Sequence, residues 1–441
     1  MKKPTADSIK AKLDSFIQDE LLNIGLYTVN PDVDFTRNRK LPAKSLADFI
    51  IKSGVSSIQG ELIKYFKLSK SLASAPAFCK QRDKLDFRFF QVLFNKFSAA
   101  FQQRMKTKLG YRLIAVDGSD FLYPQNPKDT ETYHKIGDKR GYNNVHLNAC
   151  YDILNGIYTA CSIATSSKSH ERSEFVKLLN QFQNPEKCLF IADRGYESFN
   201  VLAHLIEKKA HFLIRARDID SNSILKGLHL QEAGDEFDID IVKVIAKSRS
   251  VLKNVTLEEN ASVYYIYKNY SVDFITEENP YYEMKFRVVR FKLNNGKYEA
   301  VITNLSRDEA TPAQLRKLYN KRWGIETSFK TLKYSLGGYT FHSKKQNSVM
   351  QELFGKLILF NFCAFVIAFT KFKNKRDGRK YRQKINMATA IKICVTYLNE
   401  GSQILVEELL SKFLTPIRKN RSSPRGRICE QSARTFQNRP Y

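Results

Sequence analysis

The chain changes character at the stretch Tyr111-Arg112-Leu113-Ile114-Ala115-Val116-Asp117, where an apolar run ends in an acidic residue. A short run of this kind predicts a buried β-strand. A second such run, Cys188-Leu189-Phe190-Ile191-Ala192, ends in Asp193. Carboxylates at strand ends point into the open edge of an α/β sheet, where ligands bind, so both aspartates are candidate site residues. Aspartate after a strand is also ordinary turn chemistry, so neither residue decides the function alone.

The segments around these two strands complete an α/β pattern. Two strand-like runs are joined by Asn155-Gly156, which is a strong hairpin signal. The remaining strands and helices follow from apolar periodicity, with strands at 144–151, 157–164 and 211–216 and helices at 170–182 and near 199–209. The predicted order, β-β-β-α-β-α-β, is that of a ribonuclease-H-like sheet.

The whole chain divides into five predicted segments. Residues 1–108 form a helical N-terminal DNA-binding domain, and residues 109–216 form the first part of the core. Residues 217–304, rich in alternating Val, Ile, Tyr and Phe, form a β-strand insertion with predicted strands at 262–267, 282–293 and 298–303. Residues 305–372 complete the core, and residues 373–441 form a basic helical region with a poorly ordered tail from Pro416. The predicted fold is therefore α/β: a ribonuclease-H-like catalytic core interrupted by an all-β insertion, with helical N- and C-terminal regions.

The composition indicates which partner the chain binds. Its formal net charge is +27, and self-repulsion of this size favours a polyanionic partner, with nucleic acid first and an anionic membrane second. The apolar stretch Leu353 to Thr370 is nearly long enough to span a bilayer, but it contains Lys356 and Asn361 and is predicted to be a buried core helix. No membrane partner is expected. Scattered cysteines without a C-x-x-C pair argue against a zinc finger and favour a reducing compartment, the cytoplasm.

A third acidic residue lies on the predicted helix that begins at Thr311-Pro312. At about 100° per residue, one stripe of this helix is apolar and must face the core; it consists of Leu318, Ile325, Phe329, Leu332 and Leu336. A neighbouring stripe holds Tyr319, Arg322, Glu326 and Lys333. A solvated face with an i, i+4 ion pair is the plain interpretation, but Arg before Glu is the less favourable order. A lone carboxylate among cations suits a site where metal and phosphate meet.

The three carboxylates Asp117, Asp193 and Glu326 fit metal-dependent chemistry on a phosphodiester. Two divalent ions about 4 Å apart can bind its oxygens, lower the pKa of the attacking water and stabilise the leaving oxyanion. Hard cations such as Mg²⁺, or Mn²⁺ in its place, prefer carboxylate oxygens. Neighbouring basic residues, including Arg194 and Lys330, are then expected to bind the flanking phosphates.

Three strings together resemble the bacterial insertion-sequence DDE transposases of the IS-four type: Asp117-Gly118-Ser119, Asp193-Arg194-Gly195-Tyr196 and Tyr319-x2-Arg322-x3-Glu326-x6-Lys333. The resemblance implies that Asp117, Asp193 and Glu326 are the catalytic, metal-binding triad. It implies that Tyr319, Arg322 and Lys333 contact DNA phosphates near the cut. Similar enzymes act as dimers on terminal inverted repeats, cut both strands at the element ends, often through a hairpin, and join the ends to target DNA. We therefore expect a cut-and-paste transposase that is a homodimer on double-stranded DNA in the bacterial cytoplasm, associated with the nucleoid.

Several alternatives stay open. The chain could be a catalytically inactive, transposase-derived DNA-binding protein, although the intact carboxylates favour activity. It could be a ribonuclease-H-like nuclease without strand transfer, against which the basic N-terminal domain and the β insertion argue. Asp120 competes with Asp117, which is preferred because it directly ends the apolar strand. Trp323 is predicted to pack under the β insertion rather than to stack on a base. The run from Lys371 to Lys384, with eight basic residues, is a solvated loop or a phosphate-contacting arm.

Overall fold

The structure of the protein is a computed structural model that describes residues 3–37, 40–137, 139–165, 170–217, 223–225, 228, 230, 234–259, 261–266, 272–293, 295–372 and 380–418. The N-terminal part is helical, as the sequence predicts. Hydroxyl caps define several helix starts; the Thr5 side chain, for example, accepts the Ser8 N–H at 3.2 Å. The helices are α1 (Ala6–Leu21), α2 (Ala43–Lys52), α3 (Ile58–Phe66), α4 (Ala75–Arg82) and α5 (Arg88–Ala99).

Ten strands of the described chain form one mixed sheet. They are β1 (Arg112–Tyr123), β2 (Tyr133–Ile136), β3 (Lys139–Asp152), β4 (Ile157–Thr165), β5 (Cys188–Ala192), β6 (His211–Arg215), β7 (Phe237–Ala246), β8 (Ser262–Tyr265), β9 (Tyr281–Lys292) and β10 (Tyr298–Thr303). The order is β2-β3-β1-β5-β6-β10-β9-β7-β8, with β4 beside β3. β1 is antiparallel to β3 and parallel to β5, and β5 is parallel to β6. The prediction of a mixed α/β fold is therefore confirmed.

Helices cover both faces of this sheet. On one face α6 (Glu171–Leu179) and α7 (Phe199–Glu207) bury the apolar side chains of β5 and β6. On the other face lie α8 (Pro312–Tyr319), α9 (Trp323–Lys330) and α10 (Gln346–Phe369). The described C-terminal part adds β11 (Gln383–Ile385), α11 (Met387–Glu400), α12 (Val406–Lys412) and β12 (Leu414–Pro416).

The predicted all-β insertion at residues 217–304 is not seen as a separate unit. Its strands β10, β9, β7 and β8 continue the central sheet, because β10 pairs antiparallel with β6 from Val301↔Arg215 to Thr303↔Leu213. Apolar side chains of β7 and β9 belong to the same hydrophobic cluster as α7. The sequence predicts β8, β9 and β10 as strands, but alternation gives no information about which sheet a strand joins.

Helix α10 is the centre of the helical layer. By length and composition it could cross a membrane, but 83% of its most apolar window is buried inside the protein. Its polar residues have partners there: Asn361 Oδ1 accepts the Tyr158 N–H at 2.9 Å, and Lys356 Nζ donates to the Leu336 carbonyl at 2.8 Å. The prediction of a buried core helix is confirmed.

The terminal helices share one core with α10. Side chains of α1, α2 and α5, of α11 and α12, and of one face of β1, β3 and β4 form a single hydrophobic cluster. Residues 1–108 are therefore helical but have no separate core. The tail predicted from Pro416 is described only to residue 418, and Pro416 ends strand β12. Residues 419–441 and residues 373–379 of the basic run lie outside the described residues.

A buried ion pair joins the N-terminal helices to α10. Arg82 Nη1 lies 2.8 Å from Glu352 Oε1, and both side chains are 3% exposed. Arg82 Nε also donates to Gln351 Oε1 at 2.8 Å. Burial alone would raise the pKa of Glu352, but Arg82 and His342 hold it well below its ordinary value.

We expect Glu352→Gln to lower the free energy of unfolding by about 3–5 kcal/mol, because it leaves the Arg82 charge buried without its counter-ion. The measurement is urea unfolding followed by circular dichroism. Asp83→Asn is the matched control: it breaks the exposed pair with Lys345 and should change the free energy by less than about 1 kcal/mol. Equal losses of unfolding free energy in the two variants would contradict the stabilising role of the buried Arg82–Glu352 ion pair.

Candidate active site

Asp117 and Asp193 leave the sheet at the same level. The parallel pairing of β1 with β5 ends at Val116 and Ala192, and each aspartate is the next residue. β1 does not end at Asp117, as the sequence predicted, but continues to Tyr123 because β3 pairs with it over that distance. Asp117 is therefore held by backbone pairing within a strand, with its side chain 20% exposed.

Asp193 is fixed by the turn that follows β5. Arg194–Tyr196 forms a single 3₁₀ turn, and the Gly195 N–H donates to Asp193 Oδ1 at 2.7 Å. The Gly195 carbonyl in turn accepts from Arg172 Nε at 2.7 Å. A Cβ at residue 195 would lie 2.9 Å from Asp193 Oδ1, so this position requires glycine for the carboxylate to keep its place.

Glu326 reaches the same edge from a helix that is interrupted twice. α8 starts with a capping box formed by Thr311 and Gln314. A 3₁₀ turn at Asn320–Arg322 separates it from α9, and a π-helical turn at Thr331–Ser335 follows. The predicted apolar stripe is nevertheless buried throughout, at Leu318, Ile325, Phe329, Leu332 and Leu336, so the neighbouring stripe faces the sheet edge, with Glu326 30% exposed.

Arg322 lies between two of the three carboxylates. Its Nη1 is 3.5 Å from Asp117 Oδ2, and its Nη2 is 2.8 Å from Glu326 Oε1. The rings of Tyr319 and Trp323 flank the guanidinium, with centroids at 5.9 Å and 5.0 Å. Residues distant in the sequence thus form one ion-paired group.

The acidic side chains influence one another. Burial raises the pKa of Asp117 to about 6; the Gly118 N–H and Arg322 oppose this rise, and the charges of Asp193 and Glu326 add to it. Carboxylates crowded in this way favour a divalent cation, which prefers oxygen ligands. Nowhere in the described ranges does a group of three His, Cys, Asp or Glu side chains already lie close enough to hold a metal. The three carboxylates fit a metal by donor chemistry and charge, but Arg322 lies between two of them and they are not drawn together around one point.

The other predicted DNA-contacting residues lie at different depths. Arg194 and Lys330 are exposed at the surface. The Lys333 ammonium lies 4.9 Å and 5.3 Å from two aromatic ring centres, and burial lowers its pKa. Tyr319 is only 4% exposed and packs in the core. Tyr319 thus has a packing role in this structure, and too little of its side chain is exposed for the predicted contact with DNA.

Trp323 is exposed over 58% of its surface. The prediction that it packs under the β insertion is wrong: at about 100° per residue, Trp323 lies on the side of the helix away from the buried stripe of Leu318, Ile325 and Phe329. An exposed ring beside the Arg322 cation is a suitable platform for stacking on a nucleic-acid base.

Sequence reasoning missed a second charged cluster near the site. Asp120 Oδ1 lies 2.8 Å from His146 Nδ1, and Glu171 Oε1 lies 3.3 Å from His146 Nε2. Burial would lower the pKa of His146, but these two carboxylates raise it to about 9. Asp120 is thus paired with a charged imidazole, whereas Asp117 shares Arg322 with Glu326, which favours Asp117 over Asp120 as the triad residue.

This second cluster supports the backbone beside the aspartates. A Cβ at Gly118 would collide with the His146 ring, so glycine after Asp117 allows the imidazole to pack directly beneath it. A groove of about 600 Å³ opens on this side, lined by Asp120, His134, Tyr142, Asn144, His146, His170, Glu171, Arg172 and Gly195. Gly118, one residue after Asp117, and Gly195, two residues after Asp193, are the sequence signals that could have indicated such close packing.

We expect Mn²⁺ binding by the DNA-free protein to be independent of pH above about 6 and to weaken roughly tenfold per pH unit below it, because the Asp117 proton must leave before a metal binds. Electron paramagnetic resonance of free Mn²⁺ measures the affinity. Asp308→Asn, at an exposed carboxylate, should keep the profile. An affinity that stays constant down to about pH 5, where an ordinary aspartate is still ionised, would contradict the prediction.

Comparison with known proteins identifies the family of the chain. Residues 108–362 match the family model described as Transposase DDE domain. The transposase for insertion sequence element IS1151 of Clostridium perfringens is 23% identical over 302 residues, which are 60% of this chain and 63% of that relative; the chain thus spans less than two thirds of its length. The piggyBac transposase synaptic complex with hairpin DNA aligns with a TM-score of 0.41 at 10% identity, over 86% of this chain and 76% of that one. Since the family model matches more than half of the sequence, the chain belongs to the DDE-domain transposase family.

Proposed function

We propose that this protein is a cut-and-paste DNA transposase. It binds terminal inverted repeats, cleaves the DNA at the element ends and joins the 3′-OH ends to target DNA. The observation that carries the proposal is the meeting of Asp117, Asp193 and Glu326 at one sheet edge, from two parallel strands and a helix. Three carboxylates from separate segments suffice for this chemistry, because substrate and water complete the metal shells.

Asp117, Asp193 and Glu326 would hold two Mg²⁺ or Mn²⁺ ions. Bound there, the ions would polarise the phosphodiester, activate the attacking water and stabilise the leaving oxyanion. The chain's own residues align the substrate. The exposed Arg194 and Lys330 bind DNA phosphates on either side of the carboxylates. Lys333, whose ammonium packs against an aromatic ring, binds a third phosphate.

The remaining features support a DNA substrate in a larger assembly. The net charge of +27 favours a polyanion, and the exposed ring of Trp323 offers a stacking surface near the site. We infer a homodimer on DNA, an IS-four type of signature and a hairpin step from the resemblance of the Tyr319, Arg322, Glu326 and Lys333 spacing. The core is proposed to be ribonuclease-H-like, on the strand order β4-β3-β1-β5-β6.

We expect Asp117→Ala, Asp193→Ala and Glu326→Ala each to abolish Mg²⁺-dependent cleavage while DNA binding stays within about twofold, since each change removes a metal ligand and no phosphate contact. The assay uses labelled DNA from either side of the reading frame, with products separated on a denaturing gel. Asp308→Ala, which removes an exposed carboxylate, should cleave normally. Cleavage by any one of the three variants removes that residue from the triad, and cleaved ends that never join target DNA would indicate a nuclease.

We expect DNA binding to weaken steeply with salt, and Lys333→Ala to flatten the slope of log K against log salt by about one unit, because one phosphate contact is lost. Fluorescence anisotropy with labelled duplex measures the slope. Lys187→Ala, at an exposed lysine directly before β5 and so at the end of that strand opposite Asp193, is the charge-matched control and should leave the slope unchanged. Equal slopes for both variants would place Lys333 away from the DNA backbone.

A further inference from the structure

Arg322 occupies the space that a metal at the carboxylates would need. Asp117 Oδ1 accepts the Gly118 N–H at 2.9 Å, and Asp117 Oδ2 faces Arg322 Nη1 at 3.5 Å. Both oxygens of this carboxylate are therefore engaged. Glu326 Oε1 is engaged as well, at 2.8 Å from Arg322 Nη2. A cation that binds Asp117 and Glu326 together must take the place of the guanidinium.

The hydrogen-bonding groups of the Arg322 guanidinium are not all paired in this position. Its side chain is only 8% exposed, and its buried Nε has no hydrogen-bond partner among the residues that the structure describes. An unpaired buried donor destabilises the position it occupies. Its flanking ring Trp323 is largely exposed, so the path toward solvent runs along an aromatic face. Arginine is permanently charged and binds carboxylate and phosphate with the same planar fork, so it can exchange one for the other.

We propose that Arg322 is the resident counter-ion of Asp117 and Glu326 in the DNA-free protein and moves to a DNA phosphate when DNA binds. This inference rests on the proposed transposase function and adds its regulation. DNA removes the cation that competes with the metal, and the metal releases the arginine that binds the DNA. Each ligand then strengthens the other by the same factor, as linkage requires. Metal loading, and with it cleavage, is thereby favoured in the DNA-bound protein.

The direct test is Mn²⁺ binding to the full chain without DNA, by electron paramagnetic resonance at pH 8, where Asp117 is ionised. We expect Arg322→Ala to bind Mn²⁺ at least tenfold more tightly than the parent protein, and Arg322→Lys to bind it like the parent. Lys317→Ala removes one exposed positive charge from the same helical segment and should bind like the parent. Asp193→Asn should lose the site, which shows that the measured ion is held by the carboxylates.

The second arm adds a 30-bp DNA duplex, with the Mn²⁺ bound by the duplex alone subtracted. The parent protein should gain about tenfold in Mn²⁺ affinity, and Arg322→Ala should gain less than twofold because its competing cation is already gone. Circular dichroism checks the fold of each variant. Should Arg322→Ala fail to fold, Arg322→Gln replaces it with the same expectation.

The outcomes separate this inference from the proposed function. If Arg322→Ala binds Mn²⁺ no better than the parent while Asp193→Asn loses it, Arg322 is a fixed structural ion pair and the counter-ion proposal fails alone. Weaker binding by Arg322→Ala would mean that Arg322 positions the carboxylates, which also overturns the proposal. If Asp193→Asn binds Mn²⁺ as the parent does, the metal site itself is elsewhere and the proposed function fails.

Discussion

The parallel pairing of β1 with β5 decides where the acidic side chains of this protein meet. Its register ends at Val116 and Ala192, so Asp117 and Asp193 emerge together at one edge of the sheet. Backbone hydrogen bonding makes this placement insensitive to the mutual repulsion of the two carboxylates. Glu326 then arrives from a helix whose apolar stripe is buried against the sheet, and the fold thereby holds together charges that would separate in solution.

On each side of this edge, a cation lies between two carboxylates and offsets their mutual repulsion. On the helical-layer side Arg322 lies between Asp117 and Glu326. On the α6 side His146 lies between Asp120 and Glu171. The two arrangements differ in what surrounds them: Arg322 has an exposed aromatic neighbour, whereas His146 packs beneath the Gly118 backbone. The first suits exchange of partners, and the second suits support of the strand.

The sequence predicted the parts of the fold that local periodicity controls. The spans Cys188–Ala192 and Tyr298–Thr303 agree with the structure residue for residue, because short apolar or alternating runs bounded by turn residues permit one register. β7 was missed, and the membership of β7 to β10 in the central sheet was not foreseen, since strand pairing depends on contacts distant in sequence. The exposure of Trp323 agrees with its position opposite the buried stripe at about 100° per residue, so this signal was present in the sequence and the packing prediction overlooked it. The pairing of Arg322 with Asp117 and the contacts of His146 join separate elements, so spacing alone could not give them.

The central claim is that Asp117, Asp193 and Glu326 together bind the metal used on DNA. The most direct measurement is anomalous diffraction from crystals of the protein bound to DNA and soaked in Mn²⁺. The account predicts anomalous density among these three carboxylates, with the Arg322 guanidinium displaced toward a phosphate. Density instead at Asp120 and Glu171, on the other side of the sheet edge, with Arg322 still paired to Asp117, would contradict it.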